Sequence, residues 1–157
     1  MSDHISTLHF MLPDPDATDA LAQRIVAHLS CPDCVLLSGP IGAGKSHLAR
    51  AAVRALTHPQ QEVPSPTYTL MQSYETAQST IWHMDLYRLG EPEELMELGL
   101  DTVLDTAISL IEWPERLGSL TPARHIHITL SQQGDGRSAE VRLVGADWEN
   151  MLEELSG

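Results

Sequence analysis

The segment Gly39-Pro40-Ile41-Gly42-Ala43-Gly44-Lys45-Ser46 fits the phosphate-binding loop pattern G-x-x-x-x-G-K-[ST] without a mismatch, and Lys45 is the only lysine in the chain. This pattern restricts the architecture, because it works only between a buried strand and the first turn of a helix. The glycines let the backbone turn tightly and aim several N–H groups at phosphate oxygens, while the helix offers the positive end of its dipole to the same anion. Both flanks fit. Val35-Leu36-Leu37 is a short apolar run before the loop, and Leu48, Ala49, Ala52, Val53 and Leu56 recur at helical spacing after it, which predicts a helix from Ser46 to about Thr57. Gly39, Gly42, Ala43 and Gly44 are thus expected to cradle phosphate. Lys45 would reach the β- and γ-phosphates, and the Ser46 hydroxyl would ligate Mg²⁺.

The chain has 157 residues, the size of one domain spanning 1–157 with its own core, and only 4% are aromatic, so that core should be aliphatic. A formal charge of −13 argues against a groove that tracks nucleic-acid phosphates; nucleic acid, if involved, would be held by a basic partner. Met1 to Leu12 lacks the pattern of a signal peptide, and no apolar run approaches a membrane span, so a cytosolic setting is expected. Cys31-Pro32-Asp33-Cys34 precedes the strand before the loop, the wrong place for a thioredoxin-like pair, and no second C-x-x-C exists to complete a zinc site. These two cysteines are taken as incidental thiols, although His28 lies close in sequence.

The remaining pattern predicts strands at Leu8–Leu12, Tyr68–Tyr74, Thr80–Leu86, Ile108–Ile111, His125–Leu130 and Ala139–Val144. Helices are predicted from the Asp14-Pro15-Asp16 cap through Leu29, over Glu93–Leu98 until Gly99, and over Trp148–Leu155. Polar turns at Glu75–Ser79 and Gln132–Gly136 make two hairpins. Hairpins beside a phosphate-loop unit imply an α/β fold, a three-layer P-loop NTPase-like sandwich whose mixed central sheet is flanked by helices.

A Mg²⁺-nucleotide site needs a carboxylate at the end of a buried strand near the loop, and two are available. Asp85 follows Ile81-Trp82-His83-Met84, and Glu112 follows Ile108-Ser109-Leu110-Ile111. His83 alternates with Asp85 and is expected as a half-buried, satisfied histidine. Thr67, in the proline-rich loop Pro64-Ser65-Pro66-Thr67-Tyr68, could offer a hydroxyl to Mg²⁺ or to an attacking water. Arg88 and Arg116 follow the two acids and could stabilise phosphate charge. The N-K-x-D segment by which many GTPases read guanine is absent, so ATP is the expected nucleotide.

Together these segments resemble a known family, the bacterial tRNA threonylcarbamoyladenosine biosynthesis ATPases TsaE, formerly YjeE. The resemblance is carried by GPIGAGKS at 39–46, SPTYTL at 65–70, HMDLYRL at 83–89 with PEEL at 92–95, and IEWPER at 111–116, in the family's order. It implies a small Mg²⁺-dependent P-loop ATPase, weak alone, that works with TsaB and TsaD. Those partners transfer threonylcarbamoyl to adenosine 37 of tRNA, and hydrolysis would reset the transferase between turnovers. On this resemblance Lys45, Asp85 and Thr67 are catalytic, Asp85 as the Walker B-type acid and Thr67 in a switch-like loop. Glu112 joins Ser46 at the metal, and Trp113 lies near the nucleotide. The flanking segments Ala17-Thr18 and Gly136-Arg137 also match, adding Thr18 and Arg137 to the nucleotide-binding set. The family often has Asp-Leu in place of Pro40-Ile41 and Thr in place of Ser46; serine retains the ligating hydroxyl. A small-metabolite kinase and a nucleotide-gated binding module are the alternatives, the first needing an arginine-rich lid that eight scattered arginines do not suggest.

Overall fold

A computed structural model describes residues 5–40, 42–64, 66, 70–88, 91 and 93–157. The chain runs β1 (Ile5–Leu12), α1 (Pro15–Val26), β2 (Cys34–Ser38), α2 (Lys45–Leu56), β3 (Met71–Glu75), β4 (Thr80–Asp85), α3 (Glu93–Glu97) and α4 (Leu100–Thr106). It continues with β5 (Ile108–Glu112), a 3-10 stretch over Pro114–Leu120, β6 (His125–Gln133), β7 (Gly136–Val144) and α5 (Glu149–Ser156).

One seven-stranded sheet holds the order β1-β7-β6-β2-β5-β4-β3. Strand β2 lies between β5 and β6, parallel to both, and β4 runs parallel to β5. The hairpins β3–β4 and β6–β7 and the pair β1–β7 are antiparallel. The expected mixed sheet is present, with its parallel part at the centre, where helices must cover both faces.

Alternation along the strands divides the core in two. Val35 and Leu37 of β2, Ile81 of β4, Ile108 and Leu110 of β5 and Ile126 and Ile128 of β6 pack with Leu21 and Ile25 of α1, Leu48, Ala52 and Val53 of α2 and Met151 and Leu155 of α5. On the opposite face, Cys34 and Leu36 of β2, Met84 of β4 and Ile111 of β5 pack with Leu95 of α3, Leu100 and Val103 of α4 and Leu117. A side chain's face is set by the parity of its position in the strand. The result is helix, sheet and helix in three layers.

Several boundaries differ from expectation. Helix α1 stops at Val26, with Asp14 accepting a cap hydrogen bond from the Ala17 N–H at 2.9 Å, and residues up to Leu29 turn out of the helix. Strand β3 starts at Met71 among the described residues; the expected strand start at Tyr68 lies outside them. Strands β6 and β7 extend inward to Gln133 and Gly136, so the hairpin turn is shorter than Gln132–Gly136. Helix α4 and the 3-10 stretch were not anticipated. Both cysteines are free, Cys31 exposed and Cys34 buried, and His28 lies 3.8 Å from Glu154 instead.

Candidate functional site

The site forms where the central parallel strands end. Strand β2 delivers the chain to Gly39, whose φ of +139° and close approach to the Leu130 carbonyl of β6 allow no side chain there. The loop then enters α2, which begins at Lys45 with Gly44 as its N-cap in the left-handed conformation. Gly44 brings no capping side chain, so among the described residues the N-cap itself offers no acceptor to the first N–H groups of α2. The first turn of α2 holds no acid of its own, and an anion at this helix end would meet the positive end of the dipole.

Lys45 is buried, with Nζ donating to the Gly39 carbonyl at 2.7 Å and standing 3.9 Å from the centroid of the Trp113 ring. The ammonium thus arches back over its own loop, held by a carbonyl and an aromatic face. Trp113 reaches this place because its backbone is left-handed, φ 59° and ψ 53°, where β5 gives way to Pro114. A non-glycine residue there costs on the order of 1–2 kcal/mol. Tyr87 packs against the indole, with ring centroids 4.9 Å apart.

Asp85 and Glu112 are register partners at the ends of the parallel strands β4 and β5, and both are buried. Glu112 uses its two oxygens differently. Oε1 accepts from the Ser46 hydroxyl at 3.3 Å, and Oε2 accepts from His83 Nε2 at 2.6 Å. Asp85 Oδ1 accepts from the Tyr87 N–H at 3.0 Å, which holds the chain as it leaves β4. His83 is 1% exposed, not half-buried as expected from the sequence, because β4 is an interior strand with α2 packed across that face.

A separate cleft of about 210 Å³ opens beside the loop, lined by Pro13, Thr18, Gly44, His47 and Arg137 among others. Arg137 Nη2 donates to the Gly42 carbonyl at 3.0 Å, so the β6–β7 hairpin touches the phosphate loop directly. Thr18 is buried in the cleft wall, and His47 is held by Asp19 of α1 at 2.8 Å. Sequence reasoning did not single out His47, though its place two residues after Lys45 puts it on the first turn of α2.

The structure therefore gathers Gly39, Gly42, Gly44, Lys45, Ser46, Glu112, Trp113 and Arg137 around one loop, with Asp85 at the adjacent strand end and Thr18 across the cleft. Ala43, within the loop, is buried. Arg88 and Arg116 are exposed, the latter donating its N–H to the Trp113 carbonyl at 3.2 Å. Thr67 lies outside the described residues. Among the described residues no cluster of three or more His, Cys, Asp or Glu could hold a metal unaided, and no helix is long and apolar enough to cross a membrane.

The family model for the threonylcarbamoyl adenosine biosynthesis protein TsaE matches residues 12–140 of this chain. The tRNA threonylcarbamoyladenosine biosynthesis protein TsaE of Haemophilus influenzae is 41% identical over 108 residues, covering 68% of this chain and 68% of that protein. Its counterpart in Rickettsia bellii is 36% identical over 127 residues, covering 81% and 88%. That of Bacillus subtilis is 30% identical over 145 residues, covering 91% and 90%. Among solved structures, the crystal structure of Bacillus subtilis YdiB superposes with a TM-score of 0.79 at 24% identity, covering 99% of this chain and 97% of that one, a likeness of fold.

Proposed function

The chain belongs to the TsaE family of tRNA threonylcarbamoyladenosine biosynthesis proteins, and from that premise we propose that it binds and hydrolyses ATP to sustain threonylcarbamoyl transfer by TsaB and TsaD. The observation that carries this reading is the meeting of Lys45, Ser46 and Glu112 at one helix N-terminus, with Ser46 Oγ 3.3 Å from Glu112 Oε1.

Mg²⁺ suits this pair of groups. A hydroxyl and a carboxylate are hard oxygen donors, and two protein ligands leave room for the phosphate oxygens and waters that such an ion keeps. When bound, the ion would neutralise charge on the β- and γ-phosphates. The protein's own contribution is positioning. Backbone N–H groups of residues 42–46 and the α2 dipole would hold the phosphates, and Lys45 would exchange the Gly39 carbonyl for phosphate oxygens. Asp85, one strand from Glu112, would act with Thr67 on the attacking water. Thr18 and Arg137, in the cleft beside Gly44, would hold the rest of the nucleotide. A charge of −13 disfavours direct binding of tRNA, which the partners would hold instead. Since tRNA is the substrate of the assembly, the cytoplasm is the proposed place of action.

The test is ATP hydrolysis by the protein alone and with TsaB and TsaD, with tRNA modification followed in the same tubes. Hydrolysis should be slow alone, stimulated by the partners, and coupled to modification beyond one round. Lys45→Ala should lower hydrolysis by roughly 10²-fold or more. Repeated modification without this chain, or with Lys45→Ala, would overturn the proposal.

A further inference from the structure

Glu112 is poised by a residue outside the phosphate loop. Its carboxylate has one oxygen on Ser46 and the other on His83 Nε2 at 2.6 Å, and the histidine and glutamate side chains are 2% and 3% exposed. A buried glutamate has three side-chain torsions to settle, and the Ser46 contact at 3.3 Å is too long to settle them alone. The histidine ring has two torsions and is fixed by the neighbouring core, since Ile81 and Leu110 beside it on the same face are buried. Among the described residues, none gives the buried His83 Nδ1 a hydrogen bond. A carboxylate oxygen accepts in this contact, so Nε2 donates to it, and Nδ1 meets no partner among the described residues. A buried polar atom left unmatched in this way costs stability. Among the described residues the imidazole therefore makes one hydrogen bond, the one to Glu112.

We propose that His83 is a positioning residue, which locks Glu112 by its Oε2 so that Oε1 is presented to the divalent cation at Ser46. This inference rests on the proposed Mg²⁺-nucleotide site and adds to it the group that orients the metal-associated acid. Outer partners of this kind typically set metal affinity by 10- to 100-fold. The distance from the phosphate loop in sequence, 38 residues to Lys45, is closed by the parallel register of β4 and β5.

Two amide substitutions separate the roles by the position of the donor. In His83→Gln the amide nitrogen can stand near the place of Nε2 and still reach Glu112, whereas in His83→Asn the shorter side chain places its nitrogen near Nδ1 and cannot. Nucleotide binding is measured across a Mg²⁺ titration and again in EDTA, with thermal unfolding of each variant in EDTA. His83→Asn should raise the Mg²⁺ concentration needed for half-maximal binding by about 10-fold, with binding in EDTA unchanged, and His83→Gln should restore most of the loss. In a Glu112→Gln background the two substitutions should no longer differ. Equal Mg²⁺ requirements for Asn and Gln would overturn the proposal, as would loss of binding in EDTA by both, which would mark His83 as a core residue only. If the wild-type protein itself shows no Mg²⁺ dependence, the proposed function fails before this inference is reached.

Discussion

A methyl group added at Gly39 would lie 2.4 Å from the Leu130 carbonyl oxygen on a backbone with φ +139°, so both space and conformation reject it. Gly39→Ala should destabilise the fold by about 2 kcal/mol or more, since strain and overpacking act together, and urea unfolding will measure it. The same substitution should weaken nucleotide binding, because β6 fixes where the phosphate loop starts. Lys45 and Trp113 offer an optical test. The ammonium sits 3.9 Å from the indole centroid and must leave to meet phosphate. Nucleotide should therefore change tryptophan emission in the wild type and in variants that keep Trp113 but replace Trp82 or Trp148. Trp113→Phe should remove the change. The placement of Lys45 and Ser46 at the start of α2 was legible in the sequence because their motif is local. The His83–Glu112 contact was not, because it joins residues 29 apart through a strand register that no local pattern reveals.

Helices α3 and α4 show how tertiary burial overrides local signals. Leu100-Asp101-Thr102-Val103-Leu104-Asp105-Thr106 is poor in strong helix formers, and Gly99 before it reads as a stop. Gly99 does end α3, with φ +82°, but it also opens α4 as its N-cap. The helix holds because Leu100 and Val103 are buried in one cluster with Met84, Leu86 and Ile111. The two ways of breaking it differ in size. Gly99→Ala meets nothing within 4 Å, so only its left-handed backbone is penalised and about 1 kcal/mol is lost. Leu100→Ala removes a fully buried side chain and should lose about 2–5 kcal/mol. Chemical denaturation of both variants checks the order; equal losses would mean that α4 is not packed as described. By contrast, β2, the loop and α2 were legible together, since apolar run, glycines and helical spacing all agree there. The strand ends at Ser131–Gln133 were missed because they are polar and exposed, held by pairing with β7 alone.

At the scale of the whole molecule, β2 connects the middle of the core to the phosphate loop, and Cys34 reports on it. Burial, with the nearby Asp33 charge adding to it, pushes the Cys34 thiol up to about 12 from an ordinary 9.0. An acid whose proton is held more tightly in the folded chain is lost first by the unfolded one. Between about pH 9 and 12 the unfolded state thus binds fewer protons, and stability should fall as pH rises through that window, with no contribution below it. Cys34→Ala should flatten this alkaline decline in urea unfolding. At pH 8 iodoacetamide should modify the exposed Cys31 at once, while Cys34 waits for the sheet to open. A nucleotide that binds only the folded chain, present with Mg²⁺ at 100 times its Kd, would add about 2.7 kcal/mol to that opening and slow the second alkylation about 100-fold. If Cys34 instead reacts at a rate indifferent to nucleotide, β2 opens at its Cys34 end while the loop beyond Ser38 stays closed. The central strand would then not transmit occupancy of the loop through the core.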